Sequence, residues 1–234
     1  EDMKTRIEGV NIFMKLSNPE EVGLSTKRLT QINTVMQRYI DRQKVAGVLT
    51  VVARRGKVVH LGKAGWMDIE NNKPIEEDTL FRIYSMSKPI TSTAVMMLFE
   101  EGKILLNDPV SKYIPIFKDI DVLVDNHSQN LEVTQLERGI TIRDLLTHTS
   151  GLAYGLDDLP GIDALYRQNI WKLVEDSPGT TLEEWVNELT RLPLAHQPGS
   201  KFRYSMATDV LGYLVQVISG MPFDDFLRQR IFEP

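Results

Sequence analysis

The stretch YSMSKPI, residues 84–90, stands where a strand-like or loop-like segment gives way to a helical one. It places Ser85 and Lys88 three residues apart at the beginning of that helix. Residues at this spacing are neighbours on one helical face. The stretch is therefore either an ordinary polar helix start or a serine nucleophile with a lysine beside it. Ser87 is a weaker candidate, because a residue adjacent to Lys88 in sequence points to another part of the helix.

The nucleophile hypothesis makes chemical demands on these residues. A serine hydroxyl attacks well only when a base removes its proton. Lys88 is such a base only if its pKa falls from about 10.4 toward neutrality, which burial and the positive end of a helix dipole favour. The backbone N–H of Ser85 at the helix start is available to a developing oxyanion. Pro89 removes an N–H where the loss costs least.

Composition narrows the class of protein. The chain has 234 residues, of which 42% are hydrophobic and 25% charged, which is enough for a core and one or two folded domains. A net charge of -5 and the lack of a basic stripe argue against a nucleic-acid partner. Apolar runs are far shorter than the roughly 20 residues of a membrane span. With no cysteine and scattered histidines, we expect neither a metal site nor a cofactor.

The opening residues bear on the cellular compartment. The segment EDMKTRIEGV is charged and lacks the apolar core of a signal peptide. This favours a cytoplasmic location. A periplasmic or secreted location stays open, since a processed signal can precede the residues given.

Local patterns predict two domains, 1–84 and 85–234. The first has an amphipathic helix after a Ser25 cap, then a β-hairpin that turns at Arg54-Arg55-Gly56-Lys57. The second is mainly helical, and only two convincing strands are predicted in the whole chain. Its predicted helices lie within the segments 87–103, 141–148, 181–192, 206–220 and 222–232.

Three further segments accompany the Ser-x-x-Lys motif. PGSKFRYSMATDVLG, residues 198–212, places Tyr204 after a Pro-Gly turn and before a helix. LNDPVSKYIP and IRDLLTHTSGLAYG lie between the two. Together the four resemble the serine β-lactamase and penicillin-binding-protein superfamily, in particular its class C-like branch and the family VIII carboxylesterases. The resemblance implies an α/β (α+β) fold of the β-lactamase/transpeptidase type, with an antiparallel sheet flanked by helices and a helical subdomain.

The resemblance also implies roles for individual residues. Ser85 falls on the nucleophile, and Lys88 and Tyr204 fall on the two proton-transfer groups. Tyr154 matches an aromatic residue that lines the pocket in such esterases, and packing is the alternative role. Met206 stands where the β-lactamases carry an asparagine that binds the substrate's acyl side chain. His148 is expected to be structural.

These roles favour a serine carboxylesterase or transacylase that acts on a small-molecule ester through an acyl-enzyme. Methionine at position 206 offers no amide donor and fills apolar space, which suits a smaller or more apolar acyl group. The alternatives are a β-lactamase or DD-peptidase in the same fold, and a non-catalytic binding protein that keeps the fold.

The chain is expected to be the N-terminal part of a longer protein. Relatives of the class C type return from their helical region to complete a five-stranded sheet. One returning strand carries a Lys- or His-Thr/Ser-Gly motif, or Trp-Gly-Gly in the esterases. Nothing after Tyr204 matches this motif. We therefore expect a companion segment, either another chain or further residues, that completes the fold.

Overall fold

In the computed structural model the chain divides into two units, Glu1–Arg82 and Ile83–Pro234. The structure describes residues 15–125, 132–155 and 161–234. The division that the sequence predicts falls slightly later, between residues 84 and 85.

The N-terminal unit begins with a 3₁₀ turn, Pro19–Val22, and the helix α1, Thr26–Asp41. The side chain of Ser25 accepts a hydrogen bond from the backbone N–H of Arg28, so the predicted amphipathic helix and its cap are confirmed. No side chain of α1 is fully buried.

The predicted hairpin is confirmed as β1, Gly47–Arg54, and β2, Lys57–Asp68. Arg55 and Gly56 have φ angles of 51° and 71°, the left-handed conformation that a two-residue hairpin turn requires. A short third strand, β3, Lys73–Pro74, pairs with β2 and gives the sheet order β1-β2-β3. The sequence analysis missed β3 because a two-residue strand containing proline has no alternating pattern.

The C-terminal unit is mainly helical, as expected. Its helices are α2 Ser87–Glu100, α3 Ile142–Leu146, α4 Ile162–Tyr166, α5 Lys172–Asp176, α6 Leu182–Leu189, α7 Ala207–Ser219 and α8 Phe223–Leu227. Three 3₁₀ turns occupy Tyr84–Met86, Val110–Lys112 and Pro115–Asp119. Two short strands, β4 Val122–Leu123 and β5 Val133–Thr134, form an antiparallel pair. The prediction of only two strands was therefore wrong, although the added strands are very short.

Local capping signals determine several helix ends in this unit. Thr181 and Glu184 form the predicted capping box at the start of α6. Helix α7 ends at Ser219 and is capped by Gly220, whose φ of 71° is the left-handed C-cap conformation. In both places the residues that decide the structure lie within one turn of each other, so the sequence predicts the ends correctly.

A helical run over residues 162–176 was not predicted. Helices α4 and α5 are joined through a π-helical turn, Arg167–Trp171. A π turn inserts an extra residue, which breaks the 3.6-residue spacing of apolar positions that identifies a helix. The run is nonetheless anchored by Tyr166 and Ile170, both fully buried.

The hydrophobic core of the C-terminal unit brings α2 and α7 into one cluster. Ala94, Val95 and Leu98 of α2 are completely buried, as are Val210 and Leu211 of α7. This packing fixes the position of both helix starts, which carry the candidate functional residues. Within the described residues, no helix has the length and apolarity needed to cross a membrane.

A buried carboxylate stabilises the loop next to α3. Asp144 is 5% exposed and accepts hydrogen bonds from Arg138 (2.6 and 3.0 Å), from the backbone N–H of Thr141 (2.9 Å) and from Thr149 (3.1 Å). Burial by itself raises the pKa of Asp144, but the hydrogen bonds from Arg138 and Thr141 outweigh it, so the pKa lies below the usual range. The carboxylate is therefore charged at neutral pH.

We predict that Asp144→Asn lowers the free energy of unfolding by about 2–3 kcal/mol at neutral pH, since it removes a charged acceptor from a buried network. A depressed folded-state pKa contributes stability above the unfolded-state pKa and loses it as pH falls through the folded-state value. The gap between wild type and variant should therefore narrow in acid. Urea unfolding measures it, with the exposed Asp176→Asn as control. An unchanged gap in acid, or an equal loss in the control, would contradict the prediction.

Candidate active site

Ser85 lies on the 3₁₀ turn immediately before α2, with its side chain exposed. The preceding residue, Tyr84, has a φ of 43°, a left-handed conformation that is costly for a bulky side chain. Among the described residues, no group accepts a hydrogen bond from the backbone N–H of Ser85. Ser85 is thus exposed at the surface of the unit, and its backbone N–H makes no hydrogen bond within the described residues.

The side chain of Tyr204 reaches Ser85 from a distant part of the sequence. The Tyr204 hydroxyl lies 2.9 Å from Ser85 Oγ, a hydrogen-bond distance in which either atom can donate. Tyr204 belongs to the segment that leads into α7, which begins at Ala207. The structure thus brings together two of the residues that the sequence analysis singled out.

Lys88 lies on the first turn of α2, on the same side as Ser85. Its Nζ is 5.0 Å from the ring centre of Tyr204 and 5.6 Å from that of Tyr154, within the range of cation–π attraction. The side chain is half-buried. A cation therefore lies beside both tyrosines and one helical turn from the serine.

The pKa values of Lys88 and Tyr204 are shifted in opposite directions. Burial lowers the pKa of Lys88, but the hydrogen bond with Tyr204 and the acidic groups nearby outweigh burial and raise it above its usual value. Conversely, burial raises the pKa of Tyr204, but hydrogen bonds from Lys88 and Ser85 and the positive charge of Lys88 outweigh burial and lower it. Lys88 therefore does not meet the condition for acting as the base, a pKa lowered toward neutrality, because its neighbours include the acidic groups Tyr204 and Asp209.

Two aromatic rings hold the ring of Tyr204. Tyr154 stacks on it with ring centres 5.3 Å apart, and His148 packs at 4.8 Å. His148 Nδ1 accepts a hydrogen bond from the backbone N–H of Ser205, next to Tyr204. Burial, with a smaller effect of the Lys88 charge, lowers the pKa of His148, which keeps the ring neutral. His148 thus has a structural contact, and Tyr154 lies at the site, where its role in substrate binding stays a prediction.

Met206 and Ser87, by contrast, make no side-chain hydrogen bond with Ser85, Lys88 or Tyr204 in the described part of the chain. Met206 is 4% exposed, and its side chain belongs to the hydrophobic core of the C-terminal unit. Its assignment to substrate binding stays a prediction, and this burial favours packing. The hydroxyl of Ser87 has no recorded contact with Lys88 or Tyr204 in the described part of the chain.

The sequence analysis missed Asp209, which lies in the first turn of α7. The negative charge of Asp209 raises the pKa of both Lys88 and Tyr204. The pKa of Asp209 itself is raised by burial, which outweighs the lowering effect of the Lys88 charge. A signal was available, since Asp209 follows Tyr204 by little more than one helical turn.

Other features of the described residues do not extend this site. A cavity of about 780 Å³ near β4 and β5 is lined in part by Asp125, Glu137 and His196. Ser85, Lys88 and Tyr204 do not line this cavity. The chemistry described above therefore lies outside that cavity. Within the described ranges, no group of three or more histidine or acidic side chains is arranged to hold a metal ion.

Comparison with known proteins gives concordant matches. The family described as Beta-lactamase matches residues 32–234. Esterase EstB of Burkholderia gladioli is 34% identical over 204 residues, covering 87% of this chain and 49% of the esterase. An uncharacterised protein of Mycobacterium tuberculosis is 38% identical over 199 residues, covering 85% of this chain and 48% of that protein. The solved structure of EstCE1, described as a hydrolase with promiscuous acyltransferase activity, aligns at a TM-score of 0.72 and 30% identity, covering 88% of this chain and 51% of its own.

The lengths of these relatives differ from that of the chain. The chain spans about half the length of the curated relatives it matches. The matched part includes all the residues of the site described above.

We predict that Tyr204 titrates below the usual range of a tyrosine, because the cation of Lys88 stabilises its phenolate. Lys88→Met should raise the pKa of Tyr204, and Asp209→Asn should lower it. The ultraviolet absorbance of the phenolate, taken as the difference between the protein and its Tyr204→Phe variant, measures this pKa. Lys112→Met is the matched control, because Lys112 lies 5.0 Å from the ring centre of a different tyrosine, Tyr113. A pKa of Tyr204 that Lys88→Met leaves unchanged would contradict the prediction.

Proposed function

The chain belongs to the beta-lactamase family, and from that membership and the geometry of the site we propose that it carries the nucleophile of a serine carboxylesterase or transacylase. Its helices and antiparallel strands are those of the β-lactamase/transpeptidase-like fold. The observation that carries the proposal is the 2.9 Å contact between Ser85 Oγ and the hydroxyl of Tyr204, with the cation of Lys88 beside it.

The proposed reaction begins with proton transfer from Ser85 to the coupled pair of Tyr204 and Lys88. The pKa directions favour Tyr204 as the acceptor, with Lys88 kept as an ammonium that stabilises the phenolate. Ser85 Oγ then attacks the ester carbonyl carbon, and the carbonyl π electrons move to its oxygen. Because the two groups titrate together, the apparent pKa values of the reaction belong to the pair.

The tetrahedral intermediate has a negative oxygen that needs a hydrogen-bond donor. The free backbone N–H of Ser85 is suited to this, because it lies at the start of α2 where the helix dipole is positive. Collapse of the intermediate breaks the bond to the alkoxide, which takes the proton from Tyr204. Water or an alcohol then attacks the acyl-enzyme by the same steps and releases the acyl product and free Ser85.

Substrate class is argued from what the site offers and what the named relatives do. EstB is an esterase, and EstCE1 is a hydrolase with acyltransferase activity, which supports ester cleavage or acyl transfer here. Position 206 holds a buried methionine, so no amide side chain is available there to bind a β-lactam or peptide acyl group. A β-lactamase or DD-peptidase remains the alternative, and a higher turnover of a chromogenic cephalosporin than of a short-chain nitrophenyl ester would favour it.

A companion segment is the second part of the proposal. The curated relatives are about twice as long as this chain. In the described part of the N-terminal unit, only three hydrophobic side chains are buried, those of Val22, Val59 and Ile75. In the C-terminal unit, Tyr84 and Met86 on either side of Ser85 are 78% and 70% exposed. Such exposure favours a further segment that covers these surfaces and completes the sheet.

We predict that Ser85→Ala abolishes ester hydrolysis by the intact protein, because it removes the only nucleophile of the scheme. Ser87→Ala, the matched control, should retain most of the activity, since its hydroxyl has no recorded contact with the proton-transfer pair in the described residues. Steady-state hydrolysis of a nitrophenyl acetate ester measures both, and mass spectrometry should locate the acyl group or a fluorophosphonate label on Ser85. Labelling on Ser87, or equal losses in both variants, would sink the assignment.

We predict that residues 1–234 expressed without any further segment are inactive and bind a hydrophobic dye. Adding the companion segment in trans should lower dye binding and restore hydrolysis. Dye fluorescence, size-exclusion chromatography and an ester assay measure this. A monomer of these residues that melts cooperatively and hydrolyses esters by itself would overturn the companion-segment proposal and leave the roles of Ser85 and Tyr204 intact.

A further inference from the structure

A buried carboxylate joins the two segments that carry the site tyrosines. Arg203, which precedes Tyr204, places Nη2 2.5 Å from Asp163 Oδ2. The other oxygen of this carboxylate, Oδ1, accepts a hydrogen bond of 3.2 Å from the backbone N–H of Gly155, which follows Tyr154. The carboxylate of Asp163 therefore accepts hydrogen bonds from the two residues that are adjacent in sequence to Tyr204 and Tyr154.

The burial of this ion pair distinguishes it from a surface contact. The side chain of Asp163 is 5% exposed and that of Arg203 is 24% exposed. By contrast, the Arg191–Glu188 pair has side chains that are 71% and 38% exposed. An exposed pair contributes little, whereas a buried pair is costly to break because the remaining charge has no partner. Removal of either partner of the Arg203–Asp163 pair is therefore expected to be costly.

Backbone hydrogen bonds connect the same two segments. The N–H of Arg203 donates to the carbonyl of His148 at 2.8 Å, and the N–H of Met206 donates to the carbonyl of Ala153 at 3.1 Å. These bonds set the separation of the segments. The contact of Asp163 with the Arg203 side chain adds a charged constraint on the backbone next to Tyr204, whose ring packs against Tyr154 and His148.

Gly155 shows how closely the segment after Tyr154 packs against α4. Its φ is 77°, and a Cβ at this position would lie 2.9 Å from Cβ of Tyr166 on α4, the helix that carries Asp163. The segment after Tyr154 therefore lies against the helix with no room for a side chain.

On the basis of the proposed function, we infer that Arg203 and Asp163 are a positioning pair that holds the hydroxyl of Tyr204 against Ser85 and so sets the rate of proton transfer. In the described part of the chain neither side chain bonds to Ser85, and the connection runs through the backbone, because Arg203 directly precedes Tyr204. A displacement of about 1 Å at a reacting group can cost about 100-fold in rate.

The test uses the intact protein and the variant Arg203→Met. We expect kcat for a nitrophenyl ester to fall by about 10–100-fold with little change in KM. The pKa of Tyr204, read from its phenolate absorbance, should return toward the usual value, because the contacts with Ser85 and Lys88 loosen. Arg203→Lys should recover part of kcat, since lysine keeps the charge without the planar guanidinium.

Arg138→Met is the matched control, because it also removes the guanidinium partner of a buried carboxylate, Asp144. It should lower the melting temperature and leave both kcat and the pKa of Tyr204 unchanged. If Arg203→Met behaves in the same way as this control, its role is structural only and the inference is wrong. Asp163→Asn is the second variant if Arg203→Met does not fold, since asparagine can still accept the hydrogen bond from Gly155.

A double-mutant cycle with Tyr204→Phe tests whether the pair acts through that tyrosine. In the Tyr204→Phe background, Arg203→Met should reduce kcat by less than about twofold, because the hydroxyl that it positions is gone. An equal factor in both backgrounds would overturn the inference. Failure of the proposed function gives a different result, because Ser85→Ala would then leave turnover unchanged. The phenolate titration still tests the effect of the Arg203–Asp163 pair on Tyr204 in that case, since it needs no turnover.

Discussion

The hydrogen bond between Ser85 Oγ and Tyr204 OH is the contact on which the C-terminal unit depends for its proposed chemistry. It joins side chains 119 residues apart at a distance of 2.9 Å. Both side chains lie just before helices, α2 and α7, whose inner faces share one hydrophobic core. Because protein interiors are close-packed, the core converts two flexible helix starts into fixed positions. The active-site distance is in this sense a product of core packing.

Charge decides what that contact can do. An isolated serine and tyrosine would both be protonated at neutral pH. The half-buried cation of Lys88 lowers the pKa of Tyr204, and Asp209 limits the effect by raising it again. The neutral ring of His148 adds packing without a second positive charge. The balance favours a tyrosine that can accept a proton and a lysine that keeps its own.

The two units differ in how many of their apolar side chains they bury. The C-terminal unit has a continuous core that includes most of its helices. In the N-terminal unit, the described residues bury few apolar side chains despite a well-formed hairpin and helix. A sheet needs a covered face for stability, which fits the proposal that a further segment completes this one. The proposed nucleophile belongs to the unit with the larger, continuous core.

The sequence by itself determined the features that depend on residues within a turn of each other. The Ser25 cap, the Arg55-Gly56 turn, the Thr181 capping box and the shared face of Ser85 and Lys88 all rest on local hydrogen bonds and spacing. The resemblance of its motifs also led to Tyr204 and to the family. Only the tertiary structure decided the upward shift in the pKa of Lys88, the burial of Met206 and the pairing of Arg203 with Asp163. The burial and the charge environment of these side chains depend on residues that are far apart in the chain. Those residues come close to one another only when α2 and α7 pack into the core.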